Sequence, residues 1–120
     1  NEAKVGGEVD GRILLLPDPM GATGSSISEA VRYYKGLAGG PPAKILSMQL
    51  IVTPEFIRRV TGDHPDVVLY ALRLDRGLSS PEVLDTVPGT AGERARGLDD
   101  HQYIVPGAGG LGEILNNAWI

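Results

Sequence analysis

The stretch RILLLPDPMGATGSSISEAVRYYKGL, residues 12–37, contains the pattern that decides the fold. Its first part, Arg12 to Leu16, is a short apolar run between a glycine and a proline, which is typical of a strand buried on both faces of a parallel sheet. We therefore expect this strand to lie at the centre of the sheet. Ser26 and Glu29 then form a capping-box pattern, and apolar residues at helical spacing predict a helix from about Ser26 to Leu37.

The alternation of strands and helices continues through the middle of the chain. Lys44–Val52 predicts a second strand, a Thr-Pro pair at residues 53 and 54 predicts the start of a short helix ending at Gly62, and Asp66–Leu74 predicts a third strand. The length of 120 residues leaves room for one domain at most. We therefore predict an α/β fold, with a mainly parallel sheet flanked by helices.

The segment from Ser80 to Gln102 has no sustained hydrophobic period and is rich in proline and glycine. We interpret it as a functional flap or as a partly disordered loop, and its mixed charges suit a solvated surface. Beyond it, Tyr103 begins another predicted short strand. The last residues, EILNNAWI, are predicted to form a final helical turn or a packing strand.

The composition excludes several classes of function. A net charge of -4 and a pI near 5.0 argue against a protein whose main partner is nucleic acid. The absence of cysteine excludes disulfides, thiolate catalysis and Cys-bound zinc. No apolar run reaches the roughly 18 to 20 residues that span a bilayer, and the first residues have no apolar signal core. We therefore expect a cytoplasmic protein without an export signal.

The loop from Asp18 to Ser26 carries the residues best suited to bind a ligand. Gly21 and Gly24 let the backbone turn with its N–H groups pointing inward, at the positive end of the predicted helix. Asp18, just after the first strand, can accept hydrogen bonds from two adjacent ribose hydroxyls. No lysine is present to reach a second phosphate, so we predict a monophosphate. Hydroxyl donors come from Thr23, Ser25 and Ser26. The alternative is an ordinary glycine-rich turn with an N-capping serine.

Three segments resemble those of the uracil phosphoribosyltransferase family, in the same order. DPMGATGSS, residues 18–26, resembles the family's loop DPMLATGGS for 5-phosphoribosyl 1-pyrophosphate (PRPP). PDVVLYALRLDRGLS, residues 65–79, is similar to PDVxIYxAxxDEGLN, and YIVPGAGGLGE, residues 103–113, is similar to YIVPGLGDAGD. The resemblance implies a type I phosphoribosyltransferase-like fold. Residues 1–120 would be the carboxyl-terminal part of that domain, with residues 80–102 as an inserted loop.

The resemblance implies an activity and the residues that carry it. The reaction would be uracil plus PRPP giving UMP and pyrophosphate, a step of pyrimidine salvage, with Mg²⁺ bound through the pyrophosphate and no metal site of the protein's own. Asp18 would be the catalytic residue that holds the ribose hydroxyls. The PRPP-binding residues would be Asp18, Pro19, Met20, Gly21, Ala22, Thr23, Gly24, Ser25 and Ser26. Uracil would be read by the backbone of Ile104 and by Gly109, Gly110 and Leu111.

The chain also departs from the family pattern. Gly21 stands where the family has leucine, which removes apolar contact and keeps the cradle. Gly110 stands where the family has an aspartate that contacts PRPP, and Ile114 where it has arginine. These changes favour an alternative, a non-catalytic nucleotide-binding or regulatory domain of the same fold; a second alternative is a purely structural subunit. Because the family's two PRPP-contacting arginines lie upstream of Asn1, we expect an upstream half, on a separate chain or as the rest of a longer one.

Other polar residues have plainer interpretations. Asp75 could be catalytic, although an aspartate that ends a strand before a glycine more often caps the turn. His64 is expected in an exposed loop, and His101 is expected to be solvated rather than a base or a metal ligand. Half of such a sheet would expose apolar surface, so we also expect self-association.

Overall fold

The structure, a computed structural model, describes residues 7–107. Within these residues, the strands are β1 (Ile13–Pro17), β2 (Met20–Gly21), β3 (Lys44–Val52) and β4 (Val68–Leu74). The helices are α1 (Ser25–Lys35), α2 (Pro54–Asp63) and the short α3 (Pro81–Leu84), and a 3-10 turn covers Gly92–Arg94. No helix formed by residues 7–107 is long and apolar enough to cross a lipid bilayer.

The strands form one parallel sheet with β3 at its centre. β1 pairs with the first half of β3, and β2 pairs with its end in the same register, Pro17 opposite Met48 and Met20 opposite Ile51. β2 therefore continues the line of β1 after a short interruption. β4 also pairs with β3. The prediction of a mainly parallel sheet is confirmed, and the predicted strand Lys44–Val52 has the bounds observed for β3.

β1 is an edge strand among the described residues, and the prediction that it is central was wrong. Ile13 is 63% exposed and Leu15 is 53% exposed, so one face of β1 is open. A continuous apolar run predicts that both faces favour burial, but it does not tell which chain segment covers them. Within residues 7–107, one face of this strand has no cover.

The two faces of the sheet differ in the same way across all the strands. α1 and α2 pack on one face and against each other, which gives a closed core. The buried residues of this core are Ile27, Val31, Ile45, Val52, Phe56, Val60 and Val67. The opposite face, called here the open face, exposes Ile13, Leu15, Met48, Leu50, Tyr70 and Leu72. Since residues alternate between the faces of a strand, both sets come from the same short segments.

The helix boundaries follow from different capping residues. α1 begins after Gly24, whose backbone has φ 81°, and no side chain caps it, so the predicted Ser26 capping box was wrong. The left-handed conformation favours glycine at this position. α2 begins as predicted, because the Thr53 hydroxyl accepts a hydrogen bond from the Phe56 N–H at 3.0 Å. It ends at Asp63, one residue beyond the predicted Gly62.

The segment from residue 80 to residue 102 is held to the domain by two arginines. Arg76 donates hydrogen bonds to the carbonyl oxygens of Val83 and Thr86 at 2.8 and 2.6 Å. Arg58, on α2, donates to the carbonyl oxygens of Gly92 and Ala95 at 3.2 and 3.0 Å. A small buried cluster of Val83, Ala91 and Ala95 lies within the segment. These contacts favour the interpretation of the segment as a flap over the interpretation as a partly disordered loop.

The strand predicted to begin at Tyr103 is not observed among the described residues. Ile104 makes a single antiparallel bridge with Leu98, and the chain then turns through Val105 to Gly107. A proline at residue 106 supplies no N–H to continue a ladder. The predicted final element, EILNNAWI, lies outside the described residues.

Candidate phosphate and sugar site

The loop from Asp18 to Ser26 is anchored on both β3 and α2. The Asp18 N–H donates to the Met48 carbonyl oxygen at 2.9 Å, and the Thr53 N–H donates to the Gly21 carbonyl oxygen at 3.0 Å. The loop therefore lies at the carboxyl ends of the strands, where ligands bind in sheets of this type. One N–H and one carbonyl oxygen of the loop make these bonds, and the N–H groups beyond residue 21 are not used for this anchoring.

Those N–H groups form the main feature of the site. Within the described residues, five consecutive or near-consecutive backbone N–H groups donate to no protein acceptor. They belong to Ala22, Thr23, Gly24, Ser26 and Ile27. The intervening Ser25 N–H makes a long bond of 3.3 Å to the Thr23 hydroxyl. Free N–H groups at the first turn of a helix are suited to an anion, because their partial positive charges add to the helix dipole.

Asp18 lies in the same cleft as these N–H groups. The cleft has a volume of about 90 Å³ and is lined by residues of the loop, by Ile27 and by Phe56. One carboxylate oxygen of Asp18 accepts a hydrogen bond from the Met20 N–H at 3.0 Å, which fixes the side chain beside the loop. Its other oxygen accepts none from residues 7–107, so it is available to a ligand. The structure thus brings the predicted carboxylate and phosphate-binding groups together.

Phe56 supports the loop from below and was not predicted as part of the site. A Cβ atom added to Gly21 would lie 2.7 Å from Cδ2 of the Phe56 ring, closer than real Cβ contacts. The ring therefore occupies the space that a side chain at residue 21 would need. A Cβ atom on Gly24 would lie 3.1 Å from the Phe56 carbonyl oxygen. This explains in physical terms why glycine stands at residue 21.

Thr53 is a second supporting residue that sequence reasoning did not assign to the site. Its hydroxyl donates to the Ala22 carbonyl oxygen at 2.5 Å while it accepts from the Phe56 N–H. The side chain is fully buried. The same group thus caps α2 and fixes the loop. The Thr-Pro pair gave a signal for the helix cap, but none for the contact with residue 22.

The segment predicted to read the base, residues 103–113, is called here the base-reading segment. Its described part ends at Gly107. The side chain of Ile104 is buried, and in its bridge the hydrogen bonds are made by the flanking residues: Val105 N–H to the Gly97 carbonyl at 2.9 Å, and Asp99 N–H to the Tyr103 carbonyl at 3.1 Å. The backbone groups of Ile104 itself therefore point away from Leu98. Gly109, Gly110, Leu111 and Ile114 lie outside the described residues, so their predicted roles stay predictions.

Asp75 holds this segment in place. The residue is buried, its carboxylate accepts a hydrogen bond from the Gly107 N–H at 2.8 Å, and it also contacts Arg73. A buried carboxylate needs such partners, because burial of an unpaired charge is costly. Of the two interpretations of Asp75, the structure favours a role in fixing a turn, although the turn belongs to residues 105–107 rather than to the glycine that follows Asp75.

His64 was wrongly predicted to be exposed. It is buried, and its Nε2 lies 2.8 Å from the Ser28 carbonyl oxygen. Nearby, the Ser28 hydroxyl and the Arg59 guanidinium donate to the Asp63 carboxylate at 2.5 and 2.6 Å. These two hydrogen bonds lower the pKa of Asp63 below its ordinary value of 3.8. The cluster joins α1 to α2, and its residues do not line the cleft beside Asp18.

Within residues 7–107, no group of three or more His, Asp or Glu side chains could hold a metal ion. His101 is exposed and its ring stacks on Tyr103 with centroids 6.1 Å apart. This placement agrees with the prediction that His101 is solvated.

The comparison with protein families gives one match over most of the chain. A family model described as uracil phosphoribosyltransferase matches residues 3–95. The match includes the loop from Asp18 to Ser26 and reaches into the segment interpreted as an inserted loop, whose status as an insertion stays a prediction.

Individual proteins show the same similarity. The chain is 35% identical over 108 residues to a uracil phosphoribosyltransferase of Burkholderia thailandensis, and 34% identical to one of Burkholderia mallei. Each alignment covers 90% of this chain and 40% of the relative. Among solved structures, the AQ2163 protein from Aquifex aeolicus is similar with a TM-score of 0.67 and 28% identity, over 91% of this chain and 41% of that one. The chain thus spans about 40% of the length of these curated relatives.

Proposed function

Because the chain belongs to the uracil phosphoribosyltransferase family, we propose that its loop from Asp18 to Ser26 binds the 5-phosphoribosyl group of PRPP and UMP. In this proposal the chain is the part of a cytoplasmic pyrimidine-salvage enzyme that holds the sugar phosphate while uracil displaces pyrophosphate. The observation that carries the proposal is the row of free N–H groups from Ala22 to Ile27 beside the Asp18 carboxylate.

The proposed chemistry needs little covalent work from the protein. Positive charge develops at ribose C1 as pyrophosphate leaves, so the enzyme acts mainly by orientation and by electrostatic stabilisation. The free N–H groups would fix the phosphate end of the sugar. The unpartnered oxygen of Asp18 would accept from the ribose hydroxyls and would add negative charge near the reacting carbon. Together these contacts would set the direction from which the base attacks.

Mg²⁺ would bind through the pyrophosphate of PRPP and would neutralise part of its charge. The donor set of the described residues agrees with a metal held by the substrate, since Asp18 is the carboxylate that lines the cleft. Because Asp18 is assigned to the ribose hydroxyls, the pyrophosphate and water would supply the magnesium ligands.

Uracil would be read by main-chain groups. The backbone groups of Ile104 that point away from Leu98, with Gly109, Gly110 and Leu111 by resemblance, would form hydrogen bonds with the edge of the base. Rigid backbone donors and acceptors discriminate well, because a base with the opposite pattern would leave buried polar groups unpaired.

The open face supports the proposal of a further part of the enzyme. It presents six large apolar residues in neighbouring strands, with Leu72 83% exposed and Ile13 63% exposed. An apolar trough of about 520 Å³ runs along it from Asp18 to Leu72. Exposed surface of this kind is typical of an interface. We propose that an upstream half, corresponding to sequence that the relatives have and this chain does not match, covers it; self-association of this chain is the alternative.

A PRPP-dependent assay of UMP formation tests the activity. The chain, combined with the proposed upstream half, is incubated with uracil, PRPP and Mg²⁺, and UMP and pyrophosphate are both measured. We expect equal amounts of the two products, and Asp18→Asn should lower their rate of formation at least about tenfold. Pyrophosphate release without UMP would contradict the proposed acceptor.

The second candidate is a nucleotide-binding or regulatory domain without turnover. It is favoured by Gly110 and Ile114, which replace two charged residues of the family pattern. UMP binding measured by calorimetry, together with absence of product in the same preparation, would support this candidate over the enzyme.

A further inference from the structure

We infer that Glu55 is a positioning residue that links the proposed phosphate loop, residues 18–26, to the base-reading segment through Gly97. This inference rests on the proposed function, because it assigns a role between the two binding regions of that function. Glu55 lies in the first turn of α2, two residues from Thr53. It would act on the ligand through the backbone of residues 97–107 and not by direct contact.

The first turn of α2 contacts the phosphate loop on one side. The Thr53 N–H and hydroxyl donate to the carbonyl oxygens of Gly21 and Ala22 at 3.0 and 2.5 Å. The ring of Phe56 fills the space next to Gly21. Because Thr53 and Phe56 are both buried, this part of α2 and the loop form one rigid unit.

The same turn also contacts Gly97, which in turn pairs with Val105 of the base-reading segment. The Gly97 N–H donates to both carboxylate oxygens of Glu55 at 3.1 Å. A Cβ atom on Gly97 would lie 2.2 Å from the Asp75 carbonyl oxygen and 3.1 Å from the Pro54 ring, so only glycine fits between these groups. A backbone N–H that donates to a carboxylate makes a stronger hydrogen bond than a neutral pair does.

From Gly97 the connection continues into the predicted base-reading residues. The Gly97 carbonyl accepts from the Val105 N–H at 2.9 Å, and the Val105 carbonyl accepts from the Gly77 N–H at 3.0 Å. The Gly107 N–H is held by Asp75 at 2.8 Å. The position of Ile104, which directly precedes Val105, therefore depends on where Glu55 places Gly97.

A plainer role for Glu55 is helix stabilisation. A carboxylate in the first turn of a helix interacts favourably with the helix dipole, and Glu55 also lies 3.9 Å from the Arg58 guanidinium. That role would affect the stability of α2 and, through it, the binding of every ligand to the same extent. The link through Gly97 would affect binding of the base more than binding of the phosphate. This difference makes the two roles distinguishable.

The test compares the affinities of ribose 5-phosphate and UMP by calorimetry in four proteins. These are the wild type, Glu55→Ala, Glu55→Gln and the control Glu93→Ala, which removes an exposed carboxylate of the 80–102 segment. We expect Glu55→Ala to lower the affinity for UMP about tenfold more than it lowers the affinity for ribose 5-phosphate. Glu55→Gln keeps an oxygen acceptor for Gly97 and should retain the wild-type ratio to within about twofold, as should Glu93→Ala. Equal weakening of both ligands, no weakening, or a Glu55→Gln ratio like that of Glu55→Ala would overturn the inference.

A second measurement needs no ligand. Hydrogen exchange of the Val105 amide should accelerate about tenfold in Glu55→Ala and stay unchanged in Glu93→Ala, because local opening would no longer be opposed at Gly97. Unchanged exchange at Val105 would overturn the inference whatever the ligands do. If the wild type binds neither ribose 5-phosphate nor UMP while Val105 responds, the proposed function fails and the structural link remains.

Discussion

The two faces of the sheet are made from the same strands and have opposite environments. On the covered face, Val60 and Phe56 of α2 are almost completely buried against Ile45 and Val52 of β3. On the open face, Met48 and Leu50 of the same strand are 44% and 56% exposed. The covered face thus holds the domain together, and the open face contributes little to the stability of the chain alone. The loop from Asp18 to Ser26 is attached to the covered face, so its geometry depends on α2.

The largest effect is expected for Phe56→Ala. Removal of the ring leaves a cavity in the core and takes away the support of Gly21, so the free energy of unfolding should fall by about 3 to 5 kcal/mol. Urea unfolding followed by circular dichroism measures this change. The matched variant on the open face, Leu50→Ala, should change it by less than about 0.5 kcal/mol. Equal losses for the two variants would contradict the difference between the faces.

The next effect concerns the contact between Gly21 and Phe56. Gly21→Leu, which restores the family residue, should cost about 1 to 3 kcal/mol because its Cβ would overlap the ring. In the Phe56→Ala background the same change should cost less, with a coupling of about 0.5 to 3 kcal/mol in a double-mutant cycle. Gly62→Leu is the control, since a Cβ there meets no atom within 4 Å. Strict additivity of Gly21→Leu and Phe56→Ala would show that the ring does not occupy this space.

A smaller effect is expected from the Asp63 cluster that joins α1 to α2. The hydrogen bonds from Ser28 and Arg59 lower the pKa of Asp63 in the folded state, so its contribution to stability is present above its ordinary pKa of 3.8 and is lost as the pH falls through the lower folded value. The wild type should therefore be more stable than Asp63→Asn at about pH 6, and the difference should shrink below pH 3.8. Unfolding curves at several pH values measure it.

Ser28→Ala serves as the companion to that measurement. The Ser28 hydroxyl is the largest cause of the lowered pKa of Asp63. Its removal should therefore reproduce part of the loss of pH-dependent stability that is expected for Asp63→Asn. A difference between wild type and Asp63→Asn that grows toward low pH would contradict the assigned direction.

The smallest effect on stability is expected for Leu72→Ser on the open face. The side chain is 83% exposed, so the free energy of unfolding should change by less than about 0.5 kcal/mol. Association should weaken, because a polar side chain replaces apolar surface at the proposed interface. Sedimentation velocity over a range of concentrations measures the association. A large loss of stability with unchanged association would mean that Leu72 is packed inside the domain.

The strands β1, β3 and β4, the helices α1 and α2, and the position of the loop from Asp18 to Ser26 could be predicted because each is encoded in a short stretch of sequence. Apolar runs predicted β3, the Thr-Pro pair predicted the start of α2, and the glycine spacing placed the loop between β1 and α1. The edge position that β1 has among residues 7–107 could not be predicted, because an apolar run carries no information on which residues cover it. The family resemblance supplied the proposed ligand, which loop chemistry alone left as an unspecified ribose monophosphate.

The supporting residues of the site could not be predicted from local patterns. The contact between Phe56 and Gly21, the bond from Thr53 to Ala22 and the burial of His64 against Ser28 all join positions far apart in the sequence. The two residues of each pair come into contact only when α1 and α2 pack on the same face of the sheet. A proline after His64 suggested a loop, although the preceding helix places the ring toward the core.

The central claim is that the free N–H groups between Ala22 and Ile27 bind a sugar phosphate beside Asp18. A titration of the ¹⁵N-labelled chain with ribose 5-phosphate, followed by ¹H–¹⁵N NMR, tests this directly, with ribose as the control ligand. We predict saturable shifts of the Ala22, Thr23 and Gly24 amide signals with ribose 5-phosphate and not with ribose, and weaker binding in Asp18→Asn. Unmoved loop amides at saturating ribose 5-phosphate would contradict the claim.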